Sequence, residues 1–195
     1  MIILASASRA RTAMLTAAGV TFEAHPAHVD ESALKQSLAG QPPARIADAL
    51  AEVKALKLSP RFPSQLVLGA DQLLVSASGE LLDKPLDRAG AEAQLRLLSG
   101  REHRLISAAV IVEHGRPVWR AQDSARLTMR PLGDAFITAY LDDELPSVLS
   151  CVGSYRIESR GAQLFSRVDG DHFVVQGLPL LAVLDYLRVR GELLA

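Results

Sequence analysis

Ile2, Ile3, Leu4 and Ala5 form a short apolar run, and a helical stretch from Arg9 to Ala18 follows almost at once. This strand-to-helix switch is the feature that most constrains the fold, because it recurs along the chain. Thr21–Ala24, Leu66–Ala70, Leu73–Val75 and Leu81–Leu82 are runs of strand length, the last two flanking a turn at Ser76–Glu80. Pro43 to Lys57 has helical period, with Ile46, Leu50 and Val53 on one face and Pro43 suited to a first turn. Arg88–Leu98, Asp134–Leu141 and Leu178–Arg190 are further helices, stopped or followed by glycine at Gly100 and Gly191. His103–His114 and Val118–Met129 read as two long strands around Gly115-Arg116-Pro117. Helices between strands, with one long hairpin, predict a mixed α/β fold: a sheet flanked by helices.

The first helix begins against the usual rule. Ser6 and Ser8 are the residue type that caps a helix, yet the first turn carries Arg9 and Arg11. Helix starts favour acidic side chains, because the aligned amides make that end positive. Arg11 even occupies the capping-box position three after Ser8, where glutamate is favoured. An anion at the exposed amides would relieve the like-charge strain, with Ser6, Ser8 and Arg11 deepening the site. Alternatively both arginines point into solvent, where the penalty is only a few tenths of a kcal/mol.

The chain of 195 residues, 49% hydrophobic and 22% charged, has the composition of a globular protein with one substantial core. A net charge of −1 argues against a general nucleic-acid or membrane surface. A single cysteine, Cys151, excludes an internal disulfide and fits a reducing compartment. No run approaches the ~18 apolar residues of a membrane helix. The amino terminus has no basic segment followed by an apolar stretch. The expected location is cytoplasmic. There is no repeat at a solenoid period, and Gly40-Gln41-Pro42-Pro43 reads as a turn before a helix.

Several residues carry candidate chemistry. "LVLGADQ", Leu66 to Gln72, is an apolar run that ends in Gly69-Ala70 and then Asp71. Strand ends are where α/β folds hold ligands, so Asp71 is a candidate general base or metal ligand. It can equally be a turn aspartate capping its own backbone. In "HVDES", Asp30 and Glu31 are adjacent, so in a strand at most one joins a shared site, and a solvated loop is the plainer expectation. Lys84 precedes Pro85 on constrained, extended backbone, and Lys54 sits at the edge of an apolar helix stripe, able to turn inward or snorkel. Cys151 has no evident partner base, and the five histidines lack metal-ligand spacing. The Walker pattern, G-x-G-x-x-G and G-x-S-x-G are all missing, which argues against a serine hydrolase built on Ser8. "GSYRIESRG", Gly153 to Gly161, is polar and without period, a binding loop or a turn.

In order, "LASAS" with Arg11, "VDES", Lys54-Ala55, "GADQ", "DKP", "LSGREH", "GSYRIE" and "GLPL" resemble the Maf family of nucleotide pyrophosphatases, from Leu4 to Leu180. The resemblance implies an elongated α/β fold similar to the inosine triphosphate pyrophosphatases: a mixed sheet with flanking helices and two lobes around a central cleft, as one domain over residues 1–195. It implies hydrolysis of nucleoside triphosphates to the monophosphate and pyrophosphate, a house-cleaning role, with a divalent cation, Mg²⁺ or Mn²⁺. By position, Asp71 matches the catalytic proton acceptor. Ser8 and Arg11 match the phosphate-facing loop, and Glu31, Lys54 and Lys84 match the cleft's acid and two lysines; the mechanism this implies has Lys54 and Lys84 balancing the substrate phosphates and Glu31 with Asp71 holding the metal. Where the family usually has Ser-Pro-Arg-Arg, this chain has Ser8-Arg9-Ala10-Arg11. Asp71-Gln72 and Glu158 look closer to the subgroup acting on 7-methyl-GTP than to that acting on dTTP and UTP, although that subgroup's early tryptophan is replaced by Ala10. The expected partner is a nucleotide, with a homodimer as the candidate assembly and no membrane. The rival is a non-enzymatic nucleotide or nucleic-acid binder restraining septum formation, which requires nothing of Asp71.

Overall fold

The computed structural model describes residues 1–194. The chain runs β1 (Ile2–Leu4), α1 (Arg9–Ala17), β2 (Phe22–Ala24), α2 (Glu31–Ser37), α3 (Pro43–Leu58), β3 (Val67–Val75), β4 (Leu81–Leu82), α4 (Arg88–Leu98), β5 (Glu102–Glu113), β6 (Arg116–Met129), α5 (Asp134–Glu144), β7 (Phe165–Asp169), α6 (His172–Val175) and α7 (Leu180–Val189). The strands form one seven-stranded mixed sheet in the order β2-β1-β3-β5-β6-β7, with β4 paired to β3. The fold is mixed α/β, as the alternation of the sequence requires.

The chain divides into two compact units. The first comprises Met1–Gln72, Ile106–Asp123 and Gly177–Ala195; the second comprises Leu73–Leu105 and Ser124–Gln176. In the first, β1 pairs in parallel with both β2 and β3, which is why its residues are apolar on both faces: Ile2, Ile3 and Leu4 are all buried. Helix α3 buries Ile46, Ala47, Leu50, Ala51, Ala55 and Leu58. Gly69 is what lets this helix lie close on β3: a Cβ there would sit 2.8 Å from the Ala55 amide nitrogen and nearer still to the Ala51 carbonyl. Alanines on the helix and a glycine on the strand thus bring two backbones together.

The second unit has its own core of Leu74, Leu95, Leu105, Leu127, Ile137, Leu141, Val148, Tyr155 and Leu164, among others. Strand β6 buries Ala125, Leu127 and Met129 and exposes the alternate residues. It pairs antiparallel with β7, Leu127 opposite Val168. Among the described residues, no helix is long and apolar enough to cross a membrane.

Two sequence expectations change, and two short elements are new. Strand β3 does not stop at Ala70; it runs through Asp71 to Val75. In "HVDES", His28–Asp30 lie in a loop as expected, but Glu31 is the first residue of α2, which Asp30 caps by accepting the Ala33 amide at 2.9 Å. The short elements α6 and β7 have no sequence period that would have marked them.

Candidate active site

The first unit gathers most of the candidate residues. Ser8 caps α1: its Oγ accepts the Arg11 amide at 3.4 Å. Arg9 is exposed, whereas Arg11 turns inward. Its Nε donates to the Gly177 carbonyl at 2.8 Å and its Nη1 to Ser6 Oγ at 3.2 Å. The same Ser6 oxygen accepts the Ser8 amide at 3.1 Å. Burial lowers the Arg11 pKa from its ordinary value, while Asp71 and Glu31 act in the opposite direction. Of the two cations at the helix start, one is a solvent residue and the other is bonded to a carbonyl and a hydroxyl within the field of two carboxylates.

Lys54 lies among the buried positions of α3, not at their edge. Its ammonium sits 2.5 Å from Asp71 Oδ1 and 2.7 Å from Glu31 Oε1. Asp71 is 5% exposed, so it is a buried carboxylate in mid-strand rather than a turn residue at a strand end. Asp71 and Gly69 are two apart on β3 and share a face, so the contact that admits α3 also brings Lys54 to the carboxylate. Burial raises the Asp71 pKa above the usual carboxylate value; Lys54 and Arg11 oppose that shift. The next residue, Gln72, donates from Nε2 to Ser107 Oγ at 3.2 Å. A Cβ on Gly177, which has a φ of +102°, would lie 3.4 Å from Arg11 Nη2 and 3.6 Å from Gln72 Oε1. This glycine of "GLPL" therefore presents its carbonyl to Arg11 from a conformation that side chains disfavour.

Two acids, a lysine and an arginine thus face one another, and the acids' oxygens converge on one ammonium. Glu31 and Asp71 are hard oxygen donors within one cation's reach of each other. That set fits Mg²⁺, which is commonly held by one or two carboxylates with water and substrate phosphate completing the shell. Among the described residues no third histidine, cysteine or acid joins them.

Lys84 and Glu158 lie in the second unit. Lys84 is exposed. Glu158 Oε1 accepts Arg156 Nε at 3.3 Å. Both act electrostatically on the Cys151 thiol, whose pKa is raised chiefly by burial. Residues that sequence reasoning missed include Ser107, the partner of Gln72, and Glu144, the buried acid of α5. Neither belongs to a recognisable pattern.

The profile described as "Maf-like protein" matches residues 1–190. The chain belongs to the Maf-like protein family. Within it, this Maf-like chain is 53% identical over 192 residues to the "Nucleoside triphosphate pyrophosphatase 1" of Jannaschia sp. (strain CCS1), covering 97% of this chain and 96% of that protein. It is 49% identical over 193 residues to the "Nucleoside triphosphate pyrophosphatase" of Paramagnetospirillum magneticum, covering 98% and 99% respectively. It is 50% identical over 192 residues to the protein of that name in Sphingopyxis alaskensis, covering 97% of each.

Proposed function

We propose that this chain hydrolyses nucleoside triphosphates to the nucleoside monophosphate and pyrophosphate, with Asp71 as its catalytic base. The chain is an enzyme, a hydrolase. The observation that carries the residue assignment is the buried Lys54 ammonium held between Glu31 and Asp71. Asp71 is a buried carboxylate whose pKa burial raises while Lys54 and Arg11 oppose the shift, and a perturbed carboxylate beside specific charge partners is the kind of group that serves as a general base.

Water attacks the α-phosphorus, its oxygen forms the new P–O bond, and the bond to the bridging oxygen of the pyrophosphate breaks. Asp71 accepts the proton that the water loses. Ser8 and Arg11 bind phosphate oxygens, and Lys54 and Lys84 neutralise the charge that moves onto the leaving group. Glu31 and Asp71 would hold Mg²⁺ or Mn²⁺, which supplies further neutralisation of the phosphates. Glu158 reads the base. The finer substrate reading, a modified nucleotide such as 7-methyl-GTP, rests on Gln72 and Glu158. A cytoplasmic location accords with the lone cysteine.

The test is a nucleotide panel with Mg²⁺, scored for pyrophosphate against orthophosphate. Pyrophosphate with the monophosphate is the expected product pair. Orthophosphate release would move the attack to the terminal phosphorus, and tight binding without turnover would favour a non-enzymatic binder.

A further inference from the structure

The segment Gly153–Gly161 has no sequence period, yet the second unit fixes it at many points. Ser154 Oγ donates to Gln94 Oε1 on α4 at 2.9 Å, and the Tyr155 hydroxyl is hydrogen-bonded to His103 Nε2 on β5 at 2.8 Å. Tyr140 and Glu144, one turn apart on α5, hold the rest. The Tyr140 hydroxyl donates to the Ser154 carbonyl at 3.4 Å and accepts the Arg156 backbone N–H. Glu144 Oε2 accepts Ser159 Oγ at 3.0 Å and lies 3.9 Å from Arg156 Nη1. Gly161 crosses against Arg156, where a Cβ would sit 2.8 Å from the Arg156 backbone nitrogen.

Glu144 is 8% exposed, and nothing in the hydrolytic step uses it. A buried carboxylate is costly, so its charge needs a reason. Arg156 supplies one, because it stands between two acids: Nη1 faces Glu144 while Nε donates to Glu158 Oε1 at 3.3 Å. Guanidinium and carboxylate prefer a two-bond fork when nothing competes. Shared with Glu144, Arg156 engages Glu158 through one bond, which leaves the second Glu158 oxygen for another donor.

We propose that Glu144 is a positioning residue for base selection: by sharing Arg156 and anchoring Ser159, it keeps one oxygen of Glu158 aimed at substrate. The ligand such an oxygen suits is a base edge rich in N–H donors, as in guanine nucleotides, rather than a uracil edge with one N–H between two carbonyls. This inference rests on the assignment of Glu158 to the base.

Glu144→Gln keeps the shape and the Ser159 acceptor but releases Arg156 onto Glu158; Ser159→Ala is a milder cut at the same anchor. Binding is measured calorimetrically with the α,β-methylene analogues of GTP and UTP, and turnover with GTP and UTP. The expected result is a guanine preference in the native protein that falls about tenfold in Glu144→Gln, through weaker guanine binding, with kcat on both nucleotides within about twofold. In a Glu158→Gln background the same substitution should change the preference no further. Equal weakening of both analogues, a loss that persists without Glu158, or no guanine preference at the outset would overturn the proposal. Absence of pyrophosphate release with the Glu144-dependent preference intact would refute the activity and support the positioning role.

Discussion

Replacing Asp71 with asparagine separates chemistry from architecture. The amide keeps the shape and one acceptor but loses the charge and the basic oxygen. Its structural cost follows from the ion pair. Removing one partner of a fully buried pair typically costs about 3–5 kcal/mol, because the other charge is stranded. Here Lys54 keeps Glu31 at 2.7 Å, and the substitution also relieves the desolvation of a carboxylate that is 5% exposed. Glu31 has a side chain 38% exposed, so its hold on Lys54 is partly screened. The net expectation is a loss of about 1–3 kcal/mol. For a chain of this size that lowers Tm by roughly 3–10 °C. The catalytic cost is larger, since a general base contributes about 10²–10⁴-fold.

Both quantities are to be measured on one preparation, Tm by scanning calorimetry and kcat by pyrophosphate release per folded molecule. A purely structural Asp71 predicts the lower Tm with turnover unchanged. The base assignment predicts the fall in kcat at temperatures where the variant is folded, with metal-free nucleotide affinity unchanged or increased as repulsion of the phosphates is relieved. Near-native kcat in a folded Asp71→Asn protein would refute the reasoning and the mechanism built on it.

Arg11→Ala should raise KM about 10–100-fold, the scale of a lost charged hydrogen bond, whereas Arg9→Ala at the exposed neighbouring position should leave KM within about twofold; equal effects would undo the distinction. Gly69→Ala should lower stability by about 3 kcal/mol or more, because the new methyl group meets the α3 backbone rather than a movable side chain, and it should weaken nucleotide binding as Lys54 shifts; an unchanged urea midpoint would show that the close approach is not needed. Chelation should abolish hydrolysis and Mg²⁺ or Mn²⁺ restore it, and full activity after exhaustive chelation would rule out the metal role of Glu31 and Asp71. Burial pushes the His103 pKa down to about 4, so the native ring stays neutral while the unfolded ring gains a proton below pH 6.5. Its contribution is therefore complete above pH 6.5 and fades as pH falls toward 4, by up to about 3 kcal/mol; relative to the native protein, His103→Gln should lose that part of the acid dependence of the urea midpoint, and identical slopes would refute it.

The sequence carried the α/β class through its strand and helix periods, and it carried the large helices because their apolar faces repeat. What it hid were pairings across distance. Asp71 looked like a strand end because a charge after Gly-Ala interrupts an apolar run. The strand runs on through it, and the buried charge is matched by Lys54, 17 residues away. Glu31 looked like a loop acid, although the capping signal was present: Asp30 before a first-turn glutamate, then Ala33, Leu34, Lys35 and Gln36, all good helix formers. Adjacent carboxylates suggested opposite faces of a strand, and a helix start sends them to different jobs instead. Strand β7, with exposed residues through its centre, is defined by its register on β6 and by no period of its own.

The cations at the first helix's start now have a physical account. The local penalty for Arg11 beside the amide dipoles is a few tenths of a kcal/mol. Against it stand the Gly177 carbonyl and the field of two carboxylates, one of them buried. Arg11 and Lys54 balance Glu31 and Asp71, so the four side chains sum to no net charge. In the proposed mechanism a triphosphate brings several negative charges to this neutral group, and Lys84 is the one further cation assigned to match them. Phosphoryl transfer depends on that match more than on any covalent step. A divalent ion on the two acids would correct the remaining deficit, while the arginine itself is tolerated, where local preference alone would place an acid, because the Gly177 carbonyl and the two carboxylates offset the dipole penalty.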